Sequence, residues 1–491
     1  MDKKYKGGKT YREQMVEVAK KIAWMPDWGL DRELDWLDNM HDWLISKKRY
    51  WGLALPIWEC SKCGSFEVIG RKEELKKKAI EGWKEFDGNS PHRPWIDEVK
   101  IRCGKCGEKV SRVPDVGNPW LDAGIVPFST MPKDWFPADF ITESFPGQFK
   151  NWFYSLIAMS TALVNKKPFK RILGFGSVRD SKGEEMHKSK GNAIEFNEAA
   201  DKAGVDIMRW LYLRTNPEHN VNFGYDVLEE LRRMFLIKLW NVYSFFVTYA
   251  NLYDFEPKKI ASFDPVNTLD RWILSRMTGN IENLTKDVKR YEAYKAMGHV
   301  EIFITDLSNW YVRRIRNRVS KNDNSEDREK ALQTLWAVLT TYSKVLAPFI
   351  PYISDEIFTN LVSGSESVHL QDWPSLNKTM HQPELEKQMD DGIKVASLIL
   401  MKRKMNNVAV KIPLRKVSYS GPRELDKEIL EIVSEEVNVY NLKYKGKADN
   451  FGSGPDIEFT EDTNKDLIAG KIRDIIRRIQ AERKKLRTSL D

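Results

Sequence analysis

All four cysteines of the chain fall into two C-x-x-C pairs, Cys60-Ser-Lys-Cys63-Gly64 and Cys103-Gly-Lys-Cys106-Gly107. A glycine straight after the second sulfur lets the backbone turn tightly enough for both sulfurs to face one ion. Four thiolates at this spacing match a closed tetrahedral Zn2+ site of the zinc-ribbon kind. Two disulfides or four core thiols are the other arrangements open to the same residues. The opening Met1-Asp2-Lys3-Lys4 carries no apolar signal segment, which points to a reducing cytosol and away from disulfides. A zinc ion on Cys60, Cys63, Cys103 and Cys106 is therefore expected, within a module over residues 59–109. Protein ligands fill all four positions, so the metal is structural and the function must come from elsewhere.

At 491 residues the chain exceeds one core and implies three or four units of ~150 residues. Hydrophobic residues make up 41% and charged residues 31%, an ordinary soluble composition. No apolar run approaches the ~18 residues that span a bilayer. The net charge of +8 has the sign a polyanion favours, although many basic enzymes bind no nucleic acid. The seventeen tryptophans are more informative, because several sit beside basic residues, as in Lys48-Arg49-Tyr50-Trp51 and Trp310-Tyr311-Val312-Arg313-Arg314. Such pairings suit aromatic surfaces near phosphates or adenine rings.

Along the chain, residues 1–45 read as helical, residues 50–58 as a buried strand, and residues 72–86 as a lysine-rich helix between the cysteine pairs. Residues 113–137 read as a Pro/Gly/Trp-rich loop. A helix over 148–164, a strand over 171–178, a polar loop over 179–192 and a helix over 195–203 follow. Strand, loop and helix in that order belong to an α/β sheet, with ligands at the carboxyl end of the strand. From Tyr225 to about Leu361 apolar residues recur at helical spacing, as in the stripes Met234, Ile237, Trp240, Tyr243 and Leu332, Leu335, Val338, Tyr342. Both stripes read as packing within a helical bundle. The remainder is a small mixed unit: a helix over 389–404, strands over 417–419 and 437–442, and a basic helix from Asp466.

The polar loop holds Gly183-Glu184-Glu185-Met186-His187-Lys188-Ser189-Lys190-Gly191-Asn192. Lysine offers a compact charge to pyrophosphate oxygens, and backbone amides add donors. On charge alone the loop is equally a solvated connector. Its order, however, resembles the Lys-Met-Ser-Lys-Ser signature of class I aminoacyl-tRNA synthetases, here Glu185-Met186-His187-Lys188-Ser189 with Gly191-Asn192 after it. Further segments resemble the isoleucyl branch. They are Asp42-Trp43-Leu44-Ile45-Ser46-Lys47-Lys48-Arg49-Tyr50-Trp51-Gly52, the run His92 to Val99, and Asp306-Leu307-Ser308-Asn309-Trp310-Tyr311-Val312-Arg313-Arg314. Tyr50-Trp51, in place of two tryptophans, favours the isoleucyl over the valyl branch, and the segment from Asp306 to Arg314 argues against the leucyl one.

The departures are specific. None of the seven histidines forms a His-x-Gly-His motif, so the first half of the nucleotide fold and the editing domain are absent from this sequence. Glu185 and His187 replace the first lysine and first serine of the signature, while Lys188 matches the lysine that stabilises departing pyrophosphate. Gln148 and Trp152 align with a segment of the family that lines the aminoacyl-adenylate pocket, while Gly147 replaces its aspartate and Glu143 sits one residue further away than the pattern. Trp152 is equally readable as a core aromatic.

The resemblance implies a multidomain α/β plus all-α architecture. Residues 1–45 lead in; residues 46–215 form part of a Rossmann-like nucleotide-binding fold with the zinc-ribbon insert. Residues 216–375 form a helical anticodon-binding bundle and 376–491 a small α/β domain. It implies ATP-dependent, Mg2+-assisted charging of tRNA(Ile) with isoleucine in the cytoplasm, by the carboxyl-terminal half of a split synthetase needing a separate amino-terminal half. A non-catalytic tRNA-binding paralogue is the alternative. His187, Lys188, Ser189, Gly191 and Asn192 are the expected ATP contacts, with Lys188 catalytic. Trp310, Arg313, Arg314, Arg316 and Arg318 are the expected tRNA contacts, because few acids stand at i±4 along this basic stripe.

Overall fold

The computed structural model describes residues 1–4, 8–258, 265–320, 325–362, 364, 366–375, 377–449, 451, 457–458 and 465–485. The chain divides into two units, Met1–Met186 with Asn216–Asn222, and His187–Thr215 with Phe223–Asp491.

The first unit is organised by three parallel strands in the order Ala23–Met25, Arg171–Phe175, Ile141–Ser144. Ile172 stands opposite Trp24 on one side and Ile141 on the other. Helix Trp152–Val164 lays Phe153, Leu156 and Ile157 into the same core as Trp24, Phe145 and Ile172. Each such side chain contributes about 1.5–3 kcal/mol of burial. Gly174 admits Phe145 to the strand surface, since a Cβ there would meet the ring at 1.8 Å.

Residues 1–45 are not simply helical. The helix Tyr11–Ala19, capped reciprocally by Thr10 and Glu13, and the helix Trp28–Asn39 flank the strand Ala23–Met25. Three residues are too few to display a period-2 pattern, and their pairing partner is remote in sequence. Of the expected strand over 50–58 only Ile57–Glu59 forms, paired with Phe66–Val68. The expected loop over 113–137 contains the helix Pro119–Ser129. Its start is chemically explicit: proline at the first turn, and the Asn118 side chain accepting from the Trp120 amide at 3.0 Å.

The cysteine module pairs the hairpin Ile57–Glu59/Phe66–Val68 with an antiparallel sheet of Ala79–Glu81, Lys100–Arg102 and Lys109–Val110. Trp58, Leu75, Phe86, Ile96 and Ile101 fill its core. The single helix expected over 72–86 is two, Lys72–Lys78 and Trp83–Phe86, broken by the strand Ala79–Glu81. Gly82 makes the break at φ +74°, where a Cβ would meet the Glu98 carbonyl at 2.0 Å.

In the second unit, helices Thr268–Lys289, Ala293–Asp306, Arg313–Ser320, Ser325–Leu346 and Pro351–Leu361 form the bundle. Leu332, Leu335, Val338 and Tyr342 are buried in it as expected. Of the other stripe only Tyr243 is buried: Met234, Ile237 and Trp240 are exposed, and Phe235, Leu239, Val242 and Phe246 take the core positions. Met234 lies within a π-helical turn, Arg232–Leu236, that opens the helix Ile237–Leu252. In the small mixed region, Val417–Gly421 pairs parallel with Leu442–Lys447 beside helix Pro383–Met405. Val437, expected in a strand, ends helix Lys427–Val437, which Asn438 closes at φ +55°. Helix Leu467–Lys485 follows Asp466, whose carboxylate accepts from the Ala469 amide at 3.0 Å. Among the described residues no helix is long and apolar enough to cross a membrane.

Candidate active site, metal cluster and nucleic-acid face

The two cysteine knuckles repeat one another. Gly64 donates to the Cys60 carbonyl and Gly107 to that of Cys103, each at 2.9 Å, and both glycines take positive φ. All four Sγ atoms lie within 4.8 Å of one another. Cys60–Cys106 and Cys63–Cys103 are each separated by 3.6 Å. Sulfurs around zinc at ~2.3 Å would stand ~3.8 Å apart, whereas a disulfide needs ~2 Å. The donor chemistry points the same way. The Ser65 hydroxyl, helped by the amides of Cys106 and Lys105, pulls the Cys103 thiol down to about 6. The Glu108 amide pulls Cys106 down too, but burial and the neighbouring sulfurs push it up to about 12. Four crowded sulfurs cannot all ionise without a cation, and a divalent ion is what would let them. The residues present fit zinc.

In the first unit Glu143, Gln148 and Trp152 gather at the carboxyl end of the strand Ile141–Ser144. Glu143 Oε1 accepts from the Ser144 amide at 2.8 Å. Gln148 Oε1 accepts from the Trp152 amide at 3.4 Å, so the two residues brace one helix start. Trp152 is half-buried and packs on the edge of the core, so part of its ring serves packing and part is accessible. Glu185, which reverses a charge of the lysine loop, stands 3.6 Å from Arg179. Asp122, on the helix within residues 113–137, buries Oδ1 without a protein partner, and that burial raises its carboxyl. No pattern in the sequence marks it, since the segment reads as loop.

From His187 onward the lysine loop belongs to the second unit. His187 is extended, Lys188–Lys190 make one 3-10 turn, and Gly191 leaves it at φ +71°. Asn192 Oδ1 accepts from the His187 amide at 2.9 Å and closes the turn, leaving Lys188, Ser189 and Lys190 exposed. A cationic turn held at its neck by its own asparagine is suited to meeting an anion.

The basic stripe is not uniformly free. Arg318 donates to both oxygens of buried Asp270, at 2.9 and 2.8 Å, and to Asp327 at 2.9 Å. Tyr311 adds a hydrogen bond to Asp270 at 2.6 Å. Burial raises the Asp270 carboxyl, and Arg318 opposes the rise. Arg313 and Arg314 lie 3.0 and 2.8 Å from the Glu436 carboxylate. Asp306 pairs with Arg276 at 3.0 Å and not with the stripe. Arg316 is exposed, its guanidinium 5.9 Å from the Phe245 ring, and Trp310 is half-buried. The acids come from other helices, which i±4 spacing cannot reveal.

These features have a family counterpart. Residues 5–224 match the model of tRNA synthetases class I (I, L, M and V), and residues 270–418 match the anticodon-binding domain of tRNA ligase. The chain carries catalytic and anticodon-binding domains of the class I tRNA synthetase kind. Within that kind it is isoleucyl-like. It is 37% identical to the isoleucine–tRNA ligase of Clostridium tetani over 88% of this chain and 43% of that protein. It is 36% identical to those of Dehalococcoides mccartyi, over 96% and 50%, and Thermus thermophilus, over 88% and 43%. The chain thus spans about half the length of the curated relatives it matches. Two solved structures share the fold. One is the Agrobacterium radiobacter LeuRS in a ternary complex with tRNA and LeuAMS (TM-score 0.51, 21% identity, 70% of this chain and 43% of that one). The other is the Mycobacterium tuberculosis methionyl-tRNA synthetase with methionyl-adenylate (TM-score 0.50, 15% identity, 71% and 60%).

Proposed function

We propose that this chain takes part in the ATP- and Mg2+-dependent charging of tRNA(Ile) with isoleucine in the cytoplasm, through an isoleucyl-adenylate. It works with a polypeptide that supplies the amino-terminal half of the nucleotide fold and the editing domain. The observation that carries this reading is the likeness to isoleucine–tRNA ligases over 88–96% of the chain, including both the synthetase and the anticodon-binding regions. Retention of Lys188 with Gly191 and Asn192 supports it over the tRNA-binding paralogue, because a pure tRNA binder has no use for an ATP loop. In this reading His187, Lys188 and Ser189 meet the triphosphate, and Lys188 stabilises the departing pyrophosphate. Glu143, Gln148 and Trp152 border the adenylate, and zinc on the four cysteines holds the module together.

Isoleucine-dependent ATP–pyrophosphate exchange, with and without the complementary half, tests it. Exchange should appear only when both are present. Lys188→Ala should lower the adenylation rate about a hundredfold while weakening ATP binding much less, because the charge matters most in the transition state. Equal losses in rate and binding would reduce Lys188 to a ground-state contact. No exchange from the pair, with tRNA binding retained, would favour the paralogue.

For tRNA, Arg316 is the arginine of the stripe least committed to acids, followed by exposed Arg313. A salt titration of tRNA binding should show Arg316→Ala flattening the log–log slope by about one unit. Arg314→Ala and Arg318→Ala should change it less, since their guanidiniums already face Glu436, Asp270 and Asp327. A slope untouched by Arg316→Ala would remove this helix from the tRNA contact.

A further inference from the structure

Helix Leu467–Lys485 is held to its unit along one line. Just before it, the Asp466 amide donates to the Pro413 carbonyl at 3.0 Å. Gly470 lies so close to Ile412 that a Cβ there would meet that side chain at 3.1 Å. One turn on, the Asp474 carboxylate accepts from Lys411 Nζ at 2.6 Å. Residues 466, 470 and 474 fall four apart and share one face. The opposite face carries a different row. Ile468, Ile472, Ile475 and Ile479 follow one another at steps of four, three and four, which is the spacing of a coiled-coil seam. At about 100° per residue this row points away from Gly470 and Asp474. All four side chains are between 52% and 75% exposed, and Ile476 beside them is exposed too.

A continuous row of branched aliphatic side chains in water, unlike a single exposed residue, marks a binding face. Its borders say for what. Lys471 and Arg478 stand along one side, both exposed, and Arg483 along the other. In a parallel pairing of two copies, Arg478 would face Arg483 of the second copy. In an antiparallel pairing, the side with Lys471 and Arg478 would face itself. Like charges in those places work against a second copy. Single-stranded RNA would meet the cations but gain nothing from the row, because bases stack on aromatic rings and the helix has none. Helices that lie on bilayers present Trp, Phe and Leu, whereas here the seam runs on into Glu482. A helix whose own apolar seam is bordered by Asp or Glu fills the row and meets the cations at once.

We infer that the isoleucine row of Leu467–Lys485 is a docking face for an acidic amphipathic helix of a protein partner. Ile468, Ile472, Ile475 and Ile479 form its half of the seam, and Lys471 and Arg478 meet the partner's carboxylates. The inference stands apart from the synthetase reading, which ATP–pyrophosphate exchange decides by itself. The test is fluorescence anisotropy of a labelled heptad peptide, with leucine in the seam and glutamate on both flanks, titrated with the full chain. Its glutamates keep the peptide from pairing with itself. Binding should saturate, Ile475→Asp should weaken it about 10- to 100-fold, and Ile475→Leu should retain most of it. The same peptide with lysine flanks should bind about fivefold more weakly or worse, and Arg478→Glu should narrow that gap. Circular dichroism checks that each variant is folded. No binding of the glutamate peptide would overturn the inference, as would equal affinity for the two peptides or indifference to Ile475→Asp. Sedimentation showing a dimer that Ile475→Asp dissolves would make a second copy the occupant and overturn it. Binding to phosphatidylserine vesicles that Ile475→Asp abolishes would overturn it in favour of a lipid surface.

Discussion

Removing metal from fresh, reduced protein is expected to unfold the module over residues 59–109 while the helical bundle stays folded. Structural zinc supplies on the order of 10 kcal/mol, more than a core as small as that around Trp58, Phe86 and Ile101 provides unaided. Metal analysis should return one zinc per chain, and Cys103→Ser should lose it. Hydrogen exchange should accelerate across Lys100–Arg102 and Lys109–Val110 and stay slow in Thr268–Lys289 and Ser325–Leu346. Clearly less than one equivalent of zinc in the wild type would sink the assignment. Ser65→Ala offers a milder probe. Its hydroxyl lies 3.1 Å from Cys63 Sγ and 3.0 Å from Cys103 Sγ, so its loss should loosen the metal without unfolding the module.

Arg318→Ala should be the most damaging change among the arginines of the stripe. It strips a bidentate partner from Asp270, which is fully buried, and leaves Tyr311 as that carboxylate's remaining side-chain donor. Breaking a buried pair from one side costs about 3–5 kcal/mol, whereas exposed Arg316→Ala should stay within about 0.5 kcal/mol. The pH dependence has a definite sign. Burial already holds the folded Asp270 carboxyl above its usual range, with Arg318 opposing, so deleting Arg318 raises it further. A carboxyl raised in the folded state costs its full stability above the raised folded pKa, and that cost fades as pH falls from there to the unfolded value, below which it is gone. The deficit of Arg318→Ala relative to wild type should therefore shrink from neutral pH toward pH ~4. Urea denaturation at the two ends of that range measures it. A deficit independent of pH would mean that the lost packing of the side chain, and not the stranded Asp270 charge, accounts for the damage.

The cysteine pairs, the lysine loop and the helical character of the stretch from Tyr225 to about Leu361 were legible in the amino-acid order, because each depends on neighbours a few residues apart. C-x-x-C-Gly builds a knuckle from local turn geometry, and Lys188–Asn192 closes on its own asparagine. Leu332, Leu335, Val338 and Tyr342 face one way because nothing interrupts the helix that carries them. The stripe at Met234, Ile237 and Trp240 was misplaced because apolar residues stand on both faces of this stretch, and the competing set Phe235, Leu239, Val242 and Phe246, equally helical in spacing, is the one that packing buries. The strand Ala23–Met25 exists only because Arg171–Phe175 lies beside it. What the arginines do was decided in the same way. Their spacing made a basic stripe evident, yet Asp270, Asp327 and Glu436 approach from other helices and commit most of it to holding the bundle together. Tyr50 and Trp51 are the converse case. Their apolar run reads as a buried strand, and only the double anchoring of their turn on Val116–Gly117 puts both rings into water. Chemistry that a short segment completes by itself is written in sequence; partners brought from a distance, and the exposure they leave behind, are properties of the packed chain alone.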